Sequence, residues 1–446
     1  MNAGARPLEG LRVVELSIAI AAPSCGRMLA FFGADVMKVE SQQHPDVARL
    51  FGSAWARTPE LASVFTDTSP YLPEMNANKR SVGLNLKSPA ALAAVKELIA
   101  NSDVFLTNYS TPAVTDLGLG AEVLRELNPR LIYAALPAFG SDPSRPYYEF
   151  ISWGPNQAPL VGLDAVTGFA DQEPAGIAAF APPDYFAGLH AFMGIMTALE
   201  HRDRTGEGCW VDLSQFEITV SALAPYVLDQ QLSGEVVGRS GNRVDWYAPQ
   251  GVYPCSGSDR WVAITAHDDD AWRALAALIE PGGALGGDAA LATLEGRRAD
   301  DAHDRIDAAI AAWTATRSPE AAAAALQAVG VAAYPVHSPE TQLTDAQLTE
   351  YGWYRALPSF RFPDGDLCGG SAMRLHGTPG RFTRGAPTMG EHTVDVLAGV
   401  AGLAAGTIDD LLDEGAAFTP TAPDLKLHRP YEHVLRILGL DEEDPA

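Results

Sequence analysis

The sequence predicts an α/β protein: a doubly wound parallel sheet followed by a second, smaller α+β domain. Three observations carry that reading. Short apolar runs alternate with helical stretches through the first third, as in repeated β-α-β units. A β-like, turn-rich segment begins near residue 234 and leads into alanine-rich helices. Strand and helix patterns then return towards the end of the chain.

Taken in order, "LRVVEL" is an apolar run of strand length, "PSCGRMLAFFG" has helical spacing, and "ADVMKVE" is the next strand. The alternation recurs as helix "AALAAVKELIANS", strand "DVFLTNY", helix "GAEVLRELNP" and strand "LIYAALPAFG". The turn after the first strand, "SIAIAAPSCG", lacks the G-x-G-x-x-G spacing of a dinucleotide site. Residues 141–183 are rich in proline, glycine and aromatics and read as an ordered loop, a common place for binding residues. Over 185–204, Leu189, Phe192, Met193, Met196 and Leu199 recur at helical spacing, and Glu200, Arg202 and Arg204 mark a solvated end before "TGEG". "CWVDLSQFEITVSALAPYVLDQQLSG" continues as strand and helix. The domains are therefore read as 1–234 and 235–335, with 336–446 as a C-terminal segment. Within that segment "YEHVLRILGL" reads as an amphipathic helix before the acidic tail "DEEDPA".

A chain of 446 residues with 47% hydrophobic content is enough for one large or two ordinary domains. No apolar run reaches membrane-spanning length, and "MNAGARPLEGLRVVEL" has no secretory h-region. Cys25, Cys209, Cys255 and Cys368 lie too far apart for a paired metal motif or a disulfide framework, which fits a reducing cytoplasm, and no metal is expected. Acids outnumber bases 56 to 31, a net charge of −25, which disfavours nucleic acid and anionic membranes as partners. An anionic ligand would need cations concentrated locally.

One stretch meets that need. "NANKRSVGLNLKS", residues 76–88, holds Lys79, Arg80 and Lys87 with no acid among them. A lysine point charge and an arginine fork both suit phosphate; a solvated surface turn is the plainer alternative. Lys38 joins this edge if the sheet is doubly wound. Asn108 and Tyr109 end a strand at its carboxyl side, where open α/β sheets bind ligands, and an Asn-initiated turn fits them equally well. Asp184, in "PPDYFAGLHAF", stands at a helix start. Aspartate there caps unpaired amides, and the same helix end keeps it ionised. An ionised, positioned carboxylate is also a nucleophile. Local sequence leaves both roles open. The ten histidines form no H-x-x-x-H pair, and there is no G-x-S-x-G elbow.

Together these stretches resemble the family III (CaiB/BaiF-type) CoA-transferases. The matching phrases, in order, are "LEGLRVVELS…APSCGRMLAFFGADVMKVE", "NANKRSVGLNLKSP", "DVFLTNYSTPAVTDLGLGAEVLRELNPRLIYAALPAFG", "PDYFAGLHAFMGIMTALEHRDRTGEG" and "APTMGEHTVDVL". The resemblance implies a Rossmann-like large domain built from both chain ends, a small domain, and two interlocked subunits. It places the catalytic aspartate at Asp184 and coenzyme A contacts at Leu84, Lys87, Asn108 and Tyr109. It implies acyl-CoA and a carboxylic acid acceptor as substrates, with no permanently bound cofactor. A homodimer is expected, with a heteromer of homologues, or a racemase on the same scaffold, as alternatives. Four positions depart from the family pattern: Ile20, Ser41, Asp116 and Gly154, the last where an acid is usual in the transferases. The histidine of the racemases is absent from "WGPNQA", so a two-base racemase is hard to build here.

Overall fold

The computed structural model describes residues 6–51, 64–176 and 181–427; the expected helix at 431–440 and the acidic tail lie outside them. β1 (Arg12–Leu16), β2 (Asp35–Glu40), β3 (Arg80–Leu84), β4 (Val104–Thr107), β5 (Ile132–Ala135) and β6 (Cys209–Asp212) are parallel neighbours in the order β3-β2-β1-β4-β5-β6. A seventh strand, Ala417–Phe418, pairs antiparallel with β3, so residues from near both chain ends build one sheet. Strand order reverses between β1 and β4. The loops leaving their carboxyl ends diverge there and open a crevice.

Both faces of this sheet are covered, which is why its strands are mostly apolar, with the charged Glu15, Lys38 and Glu40 buried among them. Alternate side chains serve opposite layers. Val14, Met37, Val82 and Phe105 pack with the helices Pro89–Ala100 and Thr393–Gly399. Val13, Val36, Val104 and Ile132 pack on α1 (Ala21–Phe31) and on a long helix, Pro182–Thr205. The segment 141–183, expected as loop, contains a short helix, α2 (Gly154–Leu160), with proline at its second position where no amide partner is needed. The long helix is α3. Its buried face is Ala187, Gly188, Ala191, Ile195 and Ala198, whereas Leu189 and Met193 of the expected apolar stripe are exposed. Close approach to α1 decides this: a Cβ on Gly188 would stand 2.1 Å from Ser24 Oγ and 2.8 Å from the Ala21 carbonyl oxygen. Only small residues fit between the two axes.

The chain divides into two compact units. The larger comprises 1–161, 177–228 and 343–446, and the smaller 162–176 and 229–342. In the smaller, β7 (Gln250–Pro254), β8 (Trp261–Thr265) and β9 (Ala332–Pro335) form an antiparallel sheet. Its core includes Ile264, Trp272, Leu275, Ile306 and Leu326. Among the described residues no helix is long and apolar enough to cross a membrane. The four cysteines are free thiols.

Candidate active site

Asp184 is the third residue of α3 and is 8% exposed, at the base of a cavity of about 190 Å³ in the large unit. Ile18 and Ala19 after β1, and Asn108 and Tyr109 after β4, line that cavity, so it occupies the switch point of the sheet. Phe150, Ile151 and Trp153 form an apolar lip and are all substantially exposed. No Lys, Arg or His is among the lining residues.

Three helix starts converge on the Asp184 carboxylate. The backbone amides of Ala21, the first residue of α1, and Gly154, the first residue of α2, face it closely enough to favour its charge, as does its own amide in α3, which donates to the Ala181 carbonyl at 3.1 Å. None of these helices has a side-chain cap at its N-cap residue. One carboxylate therefore faces the free first amides of α1 and α2 from within the first turn of α3, and the helix dipoles favour its negative charge. Burial works the other way and dominates: desolvation raises the carboxyl to about 6, with the three amides restraining the rise. At pH 7 roughly nine-tenths of such a group is ionised, yet it is more basic than a free aspartate. Capping and chemistry are thus compatible at this position.

At Gly154, where the resembled family usually has an acid, a side chain has no room. A Cβ at this position would lie 2.1 Å from Asp184 Oδ2 and 2.7 Å from Ala181 Cβ. The Gly154 backbone lies directly against the Asp184 carboxylate.

The loop on the opposite wall is held from two sides. Asn108 Oδ1 accepts from the Ile18 amide at 3.0 Å and its Nδ2 donates to the Ile18 carbonyl at 2.8 Å. Ala19, in the left-handed region with φ 59°, donates its amide to Asp46 Oδ1 at 2.7 Å. Asn108 therefore spends its amide group on shaping the loop, while Tyr109 remains half-buried in the cavity wall.

Most of the expected phosphate-binding cations have other employment. Lys38 is fully buried; its Nζ lies 3.0 Å from Asp46 Oδ2 and 3.3 Å from Glu15 Oε1, and donates to the Ser17 carbonyl at 2.9 Å. Lys79, also fully buried, bonds Glu15 at 2.9 Å and the Pro23 carbonyl at 2.9 Å. Burial opposes both charges. At Lys38 the facing Asp46 and Glu15 outweigh it and raise the ammonium above its ordinary value; at Lys79 it wins over Glu15 and lowers the group to about 8. Neither can reach a phosphate in solvent. Arg80 opens β3 at the amino edge of the sheet, away from the crevice, and grips Asp35 with Nε at 2.7 Å. Leu84 is fully buried in the core behind β3. In this structure the side chains of all four are engaged within the fold. Lys87, exposed in the turn after β3, is the cation of that stretch left facing solvent on the carboxyl side.

The profile of CoA-transferase family III matches residues 8–393. The chain belongs to CoA-transferase family III. A probable CoA-transferase of Mycobacterium tuberculosis is 31% identical over 94% of this chain, which spans 51% of that protein. The succinyl-CoA–D-citramalate CoA-transferase of Chloroflexus aurantiacus is 31% identical over 91% of this chain and 96% of its own length. Among solved structures, a CaiB/BaiF family protein from Brucella suis superposes with a TM-score of 0.79 at 27% identity, covering 89% of this chain and all of that one.

In this family III enzyme the buried ions act beneath the site, and two expectations follow. Lys38→Met leaves Asp46 facing Ala19 without its counter-charge and is expected to destabilise the fold by roughly 3–5 kcal/mol in denaturant unfolding. An unchanged midpoint would contradict the structural role. The second concerns Asp184. Its carboxyl is raised in the folded state from the ordinary 3.8 to about 6, so the folded state binds the proton more tightly and stability is lost as pH rises through that window. Asp184→Asn lacks this titration. The stability of wild type relative to Asp184→Asn is expected to fall by up to about 3 kcal/mol between pH 4 and pH 7, then level off. A pH-independent difference would remove the perturbed carboxyl.

Sequence reasoning missed Gly154, the Ala21 amide and Asp46. The first had left a trace as a departure from the family pattern; a backbone amide and a loop aspartate leave none.

Proposed function

We propose that this chain transfers coenzyme A from an acyl-CoA thioester to a carboxylic acid acceptor, with Asp184 as covalent nucleophile. The observation that carries the reading is an ionised carboxylate at the switch-point cavity, oriented by the amides of Ala21 and Gly154. An Asp184 oxygen attacks the thioester carbon, the C–S bond breaks, and the thiolate leaves a mixed anhydride. The thiolate then attacks Asp184 Cγ and expels the donor acid, which carries away the attacking oxygen. The acceptor carboxylate attacks the resulting aspartyl thioester and releases the thiolate, which takes the acceptor's acyl group and frees Asp184. Each step exchanges one acyl bond for another, so no nucleotide hydrolysis is required.

The amides support the second half as well as the first. When the thiolate attacks Cγ, negative charge develops on an Asp184 oxygen that already faces backbone donors, an arrangement that stabilises such an oxyanion. The cavity lip of Phe150, Ile151 and Trp153 favours an acyl group with apolar surface. Lys87 is the candidate for a coenzyme A phosphate. Lys87→Ala is expected to weaken coenzyme A binding about fivefold at low salt and less at high salt; an unchanged dissociation constant excludes the contact.

The reading includes a homodimer working in the cytoplasm. Exposed Leu189 and Met193 on α3 are apolar surface that a second copy would cover. Sedimentation equilibrium tests this, and a monomer at micromolar concentration contradicts it. The reaction itself is tested by incubating the pure chain with a panel of acyl-CoA donors and carboxylates without ATP. A new acyl-CoA in equal amount to the donor acid released supports transfer. Exchange of the α-proton with deuterated water, without transfer, would assign the chain to racemisation.

A further inference from the structure

A second cavity, of about 320 Å³, lies in the large unit between the antiparallel pair Tyr354–Leu357 and Asp366–Gly369 and the loop running to Phe382. Its composition is opposite to that of the chain. Arg355, Arg374, Arg381 and His376 line it, and no Asp or Glu does. In a protein of net charge −25 this is a local reversal of sign. All four are exposed, and none of the three arginines makes an ion pair among the described residues. The nearby Glu74 is engaged with Arg27, 3.5 Å away behind the wall, and with the Gly369 amide at 3.2 Å.

Beside the cations stand flat rings. Tyr351 and Trp353 line the same cavity, and the Arg374 guanidinium lies over the Tyr351 ring at 3.7 Å from its centroid. Guanidinium forks match carboxylate and phosphate oxygens, and stacked aromatic faces hold a planar ring. The volume suits one small ligand. Phe31, the last residue of α1, is part of the wall, whereas Ala21 at the first residue of α1 binds Asp184. The two cavities are thus separated by the length of that helix, about 15 Å, at opposite edges of the sheet.

We propose that this cavity is a second ligand site, for a small anion carrying a planar ring, with the ring against Tyr351 and Trp353 and the anionic group between Arg374 and Arg381. A nucleoside monophosphate and an aromatic carboxylate share that chemistry, and calorimetric titration of the full chain with 5′-AMP and with benzoate distinguishes them. At least one is expected to bind saturably, once per chain. Binding is expected to weaken about tenfold in Arg374→Ala/Arg381→Ala. Arg374→Lys, which keeps the charge and removes the fork, should lose less than the double variant. Adenosine binding as well as 5′-AMP would overturn the need for an anion, and inorganic phosphate binding equally well would overturn the need for a ring. No saturable binding of either probe, or full affinity in the double variant, would overturn the separate site.

Discussion

Asp184→Ala is expected to lower the transfer rate by a factor on the order of 10⁴ or more while coenzyme A still binds, because removing a covalent nucleophile forfeits the pathway rather than one contact. The variant should also expose what the carboxylate does for the fold. The first amides of α1 and α2, at Ala21 and Gly154, lose the carboxylate they face. The buried charge disappears at the same time. Its desolvation, which raises the carboxyl to about 6, is a cost that wild type carries at neutral pH. The two changes oppose each other, so loss of activity should far exceed loss of stability. Steady-state kinetics and thermal melts on the same preparation check this. Turnover within tenfold of wild type would exclude the nucleophile.

Gly154→Ala should produce the second large effect. The added methyl would stand 2.1 Å from Asp184 Oδ2, against a neighbour, Ala181 Cβ, only 2.7 Å away on the other side. The carboxylate has to turn away from the Gly154 amide. A displacement of this size at a reacting atom is expected to cost about 10²-fold in kcat. Weakening the amide bond removes one of the influences that restrain the pKa, so the acid limb of the pH–rate profile should move above that of wild type. That shift separates a positioning role from simple destabilisation, which would lower the active fraction without moving the limb. Equal kcat and an unmoved limb would show that Gly154 does not touch the working carboxylate.

How much of this was legible in the sequence depends on what kind of interaction carries the information. The parallel sheet was, because strands buried on both faces are mostly apolar runs, as in "LRVVEL" and "ADVMKVE", alternating with helical stretches. Asp184 and the pair Asn108–Tyr109 were, through strand ends, a helix start and the family resemblance. The roles of Lys38, Lys79 and Arg80 were not. Their counter-charges, Glu15, Asp46 and Asp35, come from other parts of the chain, so a stretch without acids among residues 76–88 lies in a neighbourhood full of them. Charge patterning along a sequence detects local cations, not the carboxylates that folding brings to them. The stripe on α3 misled for a related reason: side-chain size ruled the close approach at Gly188, so small residues faced inward and Leu189 and Met193 outward.

Oxygen tracing tests the nucleophile most directly. Turnover with a carboxylate acceptor labelled with ¹⁸O in its carboxyl group should leave one labelled oxygen on Asp184, read by mass spectrometry of the peptide that contains it. The labelled oxygen should then depart in the donor acid released by the following cycle. Many turnovers with no heavy oxygen in that peptide, or with the label on another residue, would contradict covalent transfer through Asp184.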